Sequence, residues 1–129
     1  MHVDVHKDEP EKFEQRLSEI NHLLEENSSN AELLLEKSSC LRHLDRYEDA
    51  LVVHDLLISL EPENIDYIFM KGLILIECSK EEQALDCFNK ILEKNPAHRD
   101  SLFNIGLALK RLGRNVEAKE YMKKALKIP

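Results

Sequence analysis

Apolar side chains recur three and four positions apart along most of the chain, with charged residues filling the intervals. Leu102, Ile105, Leu109 and Leu112 form one such stripe, and Val116, Tyr121, Ala125 and Ile128 form a second. This spacing gathers side chains on one face of an α-helix instead of alternating them across a strand. The stripes themselves repeat. A shift of 34 residues lays Gly106 on Gly72 and Ser38, Pro96 on Pro62, Ala118 on Ala84 and Ala50, Leu109 on Leu75 and Leu41, and Leu102 on Ile68 and Leu34. Two helices per period follow. A period of this length marks an array in which each helix pair buries its apolar side only against its neighbours.

Gly106 sits in the middle of such a stripe, where glycine costs a helix roughly 1 kcal/mol relative to alanine. Small residues at the same column in all three periods give the compensation: a neighbouring helix approaches closely there. The breaks between helices carry their own signals. Asp45 and Ser79 each precede a glutamate by three residues (Glu48, Glu82), the capping-box spacing, so both are expected as N-caps of second helices, with Gly113 in the same column. Pro62 and Pro96 are expected to follow the second helix of their periods.

These columns resemble the tetratricopeptide repeat family, whose pattern places a small residue at its eighth position, alanine at its twentieth and proline at its thirty-second. Three units match, at residues 31–64, 65–98 and 99–129. Residues 10–30 fit the second helix of a preceding unit, with Phe13, Leu17, Ile20 and Leu23 in apolar columns. The resemblance implies an all-α, right-handed helical solenoid of stacked antiparallel helix pairs with about seven helices. Residues 1–9 are expected as a disordered segment before a domain at 10–129. Three residues depart from the pattern: Lys71 in an apolar column, His54 where Phe88 and Met122 stand, and Arg16 in place of the alanine. At the last helix three expectations stand side by side: Lys119, Lys123, Lys124 and Lys127 solvate it, or the chain is an excerpt of a longer protein, or another copy docks there.

The resemblance further implies that a ligand lies on the inner surface lined by first helices. There the first unit presents Glu32, Leu35, Glu36, Ser39, Arg42 and His43. The second presents Asp66, Phe69, Met70, Leu73, Ile76 and Glu77, and the third Asp100, Phe103, Asn104, Leu107, Lys110 and Arg111. Phe69, Met70, Leu73, Phe103 and Leu107 form an apolar patch suited to a peptide or helix with apolar anchors. In the family an asparagine at the place of Asn104 often bonds a peptide backbone, whereas Glu36 and Met70 hold the matching places here. A chaperone clamp needs cationic and amide groups where this chain has Leu35, Ser39, Met70 and Asp100. No binding of a chaperone C-terminal carboxylate is therefore expected, since Asp100 repels it.

Charge narrows the partner. The chain of 129 residues carries a net charge of −7, which disfavours nucleic acid, whose phosphates reward clustered Lys and Arg. Residues 1–64 hold 6 basic and 16 acidic side chains, and residues 65–129 hold 12 and 9, so one end is acidic and the other mildly basic. The odd set Cys40, Cys78 and Cys87 forms no C-x-x-C pair and suits a reducing, cytoplasmic setting. No stretch suits a membrane span, and no phosphate loop or hydrolase motif occurs. Only His2 and His6 have helical ligand spacing, and a frayed terminus explains them more simply than a metal site. The expectation is a non-catalytic interaction module without a cofactor, its rival a homo-oligomer that assembles through uncapped ends or the groove.

Overall fold

The computed structural model describes residues 9–129. The His2/His6 pair and the segment expected to be disordered lie outside the described residues, except that Glu9 opens the first helix. Seven helices and no strand occupy the described residues: α1 (Glu9–Glu26), α2 (Ala31–His43), α3 (Tyr47–Leu60), α4 (Ile65–Glu77), α5 (Glu81–Lys94), α6 (Arg99–Arg111) and α7 (Asn115–Leu126). The chain divides into two compact units, one running through Pro62 and the other Glu63–Pro129. In the first, α2 packs against both α1 and α3. In the second, α4, α5, α6 and α7 each pack on the next, and α4 also touches α6.

The columns of the sequence repeat are the packing columns. Leu34, Leu41, Ala50 and Leu57 are buried in the first unit. Ile68, Leu75, Ala84, Phe88, Ile91, Leu102, Ile105, Leu109 and Ala118 are buried in the second. The glycine column works as the spacing demands. A Cβ on Gly72 would stand 2.6 Å from Phe88 Cζ, and one on Gly106 would stand 2.8 Å from Met122 Cγ and 3.2 Å from the Ala118 carbonyl oxygen. In the first unit the same two columns hold Ser38 and His54, both fully enclosed. Val116 departs from its expected inward stripe, with 79% of its surface exposed.

The connections within pairs correct the expected capping boxes. Asp45 and Ser79 adopt φ of 58° and 61°, and Gly113 adopts 78°, the left-handed conformation that ends a helix. The N–H groups of Asp45, Ser79 and Gly113 donate to the carbonyls of Arg42, Ile76 and Lys110, while those of Arg46, Lys80 and Arg114 donate to Leu41, Leu75 and Leu109. That double pattern is a Schellman motif repeated three times, and it satisfies carbonyls the helix end would otherwise leave open. The second helices then begin at once, with Arg46, Lys80 and Arg114 as N-caps that make no side-chain cap bond. Side-chain capping falls instead on first helices. Asn30 accepts from the Leu33 N–H at 3.1 Å, Asn64 from Asp66 at 3.0 Å, and His98 Nδ1 from Ser101 at 3.2 Å.

Candidate peptide-binding wall

In the second unit the neighbouring first helices α4 and α6 bring matching columns side by side. Phe69, Met70 and Leu73 on α4 are half-buried, as are Asn104 and Leu107 on α6, while Phe103 keeps 51% of its surface exposed. The two phenylalanines share a column but not a fate. Phe69 lies edge-on to the Phe88 ring at 5.6 Å and to the His98 ring at 5.7 Å, so part of its surface belongs to the core. Ile76 is fully withdrawn into the core.

The polar residues at the edge of this wall divide by the bonds they already make. The Asn104 side-chain amide donates to the Asp100 carbonyl at 2.8 Å, which orients the side chain along its own helix. Arg111 Nη1 donates to the Ile76 carbonyl at 3.1 Å, and its Nε stands 3.7 Å from Glu81. That guanidinium therefore closes the end of α4 and is engaged before any ligand arrives. Lys110 is exposed.

On α2 in the first unit, Leu35 and Arg42 are half-buried. Three further inward columns of α2, Glu36, Ser39 and His43, face α1 across a cleft of about 510 Å³ also lined by Lys12, Phe13, Arg16 and Cys40. The Phe13 and His43 rings stack at 4.3 Å. Arg16, the residue in the alanine column, donates through Nη2 to Glu36 at 2.9 Å and through Nη1 to Glu19 at 3.1 Å. The Arg16 hydrogen bond holds the Glu36 carboxyl below its ordinary range, and the same bond raises the guanidinium. Burial pushes the Cys40 thiol up, with Glu36 adding to the effect and Arg16 opposing it. A raised thiol is a poor nucleophile. The signal for this cleft was present in the sequence as a paired anomaly, arginine in the alanine column and glutamate in the asparagine column.

Among the described residues no three His, Cys, Asp or Glu side chains converge as metal ligands, and no helix is long and apolar enough to cross a membrane.

Comparison with known proteins bears on the fold. The tetratricopeptide repeat family matches at residues 65–98 and 100–129. No curated protein matches the sequence. Among solved structures, a crystal structure of MamA protein superposes with a TM-score of 0.76 at 22% identity, covering 86% of this chain and 61% of that one. MamA from Desulfovibrio magneticus RS-1, from residue 41 to its end, gives 0.77 at 22% identity over 90% and 66%. A further MamA crystal structure gives 0.66 at 19% identity over 98% and 95%. The chain spans less than two thirds of the length of the first two, and at such identities the likeness is one of fold. Periodic columns, paired helices and the family match agree: the chain carries tetratricopeptide repeats, matched at residues 65–98 and 100–129.

Proposed function

We propose that the chain is a non-catalytic protein-interaction module that holds a peptide or helix with apolar anchors against the wall formed by α4 and α6. The half-repeat 10–30 and the repeats 31–64, 65–98 and 99–129 form the binding domain in this reading, and a reducing, cytoplasmic setting suits its three unbridged thiols. The matched repeats support a scaffold of this general kind. The single observation that carries the specific reading is Phe103, a large aromatic ring left 51% exposed on a helix whose other apolar side chains are buried or, at Leu107, half-buried. Exposed aromatic anchors of this sort dominate binding energy where they occur.

Phe103, Leu107, Leu73 and Met70 seat the anchors, and the thioether of Met70 adapts to their shape. Phe69 contributes its outer edge. Asn104 spends its amide on Asp100 and offers its carbonyl oxygen to a ligand N–H, while Lys110 sets direction by charge. Arg111 braces the wall. Replacing Phe103 by alanine should weaken capture of the partner from cell extract by about tenfold or more, the cost of a lost hot spot, without changing helicity by circular dichroism. Equal capture by variant and wild type would remove this wall as the binding surface.

A further inference from the structure

Large apolar side chains left exposed among the described residues concentrate on two helices outside the α4/α6 wall. Val52, Leu56 and Leu60 on α3 are exposed to 67%, 41% and 41%, and Val116 and Leu126 on α7 to 79% and 75%. The three on α3 are spaced four apart and form one stripe. The repeat does not require it, because the same columns carry Asp86, Lys90 and Lys94 on α5, and Glu120 and Lys124 on α7. Glu48, Asp49 and Asp55 border the stripe, and α3 contains no lysine or arginine. Arg46, at its N-cap, is engaged by Glu14.

The outer side of α7 has the opposite sign. Lys119 and Lys123 fall between Val116 and Leu126 around the helix, beside a hollow of about 400 Å³ lined by Lys110, Asn115, Ala118, Lys119 and Met122. The matching columns of α5 are Ala84, Leu85 and Phe88, all buried, and α5 packs against α6. This side of a second helix is therefore shaped to receive another helix, and on α7 lysine has replaced the leucine of that face.

We propose that α7 of one copy of this chain docks on α3 of a second copy, apolar stripe against apolar hollow, with the α3 carboxylates facing Lys119 and Lys123. Charge selects this pairing. Two α3 faces would oppose carboxylate to carboxylate, and two α7 faces lysine to lysine, each costly at close range. The contact is heterologous, so each added copy leaves one α3 and one α7 face open, and assembly continues with concentration. One helix against one helix lies at the small end of specific interfaces, below roughly 1,200 Å², so association is weak, and added salt weakens it further.

Sedimentation of the purified chain over a concentration series tests this pairing. The average mass of the wild type should rise with concentration and fall back towards monomer in high salt. Leu56→Arg blocks the α3 face and the double variant Lys119→Glu/Lys123→Glu blocks the α7 face, so each alone should stay monomeric. Mixed one to one, they should form a dimer and nothing larger, because one intact α7 meets one intact α3. Circular dichroism checks the fold of both, and Val52→Arg replaces Leu56→Arg if the latter loses helicity. Phe103→Ala, which tests the α4/α6 wall, should self-associate like wild type. A wild type that stays monomeric throughout, a mixture without dimer, or self-association lost on Phe103→Ala and kept in the face variants would each overturn the pairing.

Discussion

At the scale of single residues, the glycine column separates two kinds of tight contact. A methyl on Gly72 meets the Phe88 ring at 2.6 Å, and that ring is wholly enclosed, so it cannot swing aside. Gly72→Ala should therefore destabilise by about 1–3 kcal/mol in urea melts, despite the roughly 1 kcal/mol that alanine offers a helix. Gly106 faces the half-buried Met122 side chain, which can shift, and at 3.2 Å the Ala118 carbonyl oxygen, which needs to give by only a few tenths of an ångström. Gly106→Ala should stay within about 1 kcal/mol of wild type. The Arg16 hydrogen bond gives a second test. It holds Glu36 below the ordinary carboxylate value of 4.5. A depressed folded-state value adds stability that is complete above the unfolded value and fades as pH falls through the folded one. The melting temperature of wild type should accordingly drop below about pH 4.5 more steeply than that of Glu36→Gln, by a small margin because the pair is solvent-screened.

At the scale of elements, the helices and their contact columns were legible because two independent signals coincide there, apolar periodicity and small residues in register. Ala84 sits at such a crossing, with no exposed surface. Ala84→Arg should cost roughly 3 kcal/mol or more in chemical denaturation, since it forces bulk and an unpaired charge between packed helices. The turns were misread for a physical reason. A short polar residue three places before glutamate satisfies the spacing of a capping box, but Asp and Ser also tolerate the left-handed conformation, and Gly113 in the same column was the sign that a helix ends there. In the candidate site, sequence placed the apolar columns of α4 and α6 correctly on neighbouring helices. It could not tell Phe69 from Phe103, because that difference depends on the Phe88 and His98 rings, nor foresee that Arg111 is held by the Ile76 carbonyl.

At the scale of the whole molecule, the charge imbalance between the two halves has a local form, carboxylates along α3 and lysines along α7, which sequence totals alone do not localise. The α1/α2 cleft stayed hidden for a related reason. Its Arg16 and Glu36 each look like a defect in its own repeat and make sense only as a pair. The close approach of α5 to Gly72 also bears on how the chain is made. During synthesis α4 emerges before the ring that compensates its glycine, so it should stay largely unwound until α5 has left the ribosome and the two can close together. A peptide of residues 65–78 should be nearly structureless in water, and one of residues 65–98 should gain helix beyond what its added length supplies. Folding would then advance hairpin by hairpin, each first helix waiting on the second.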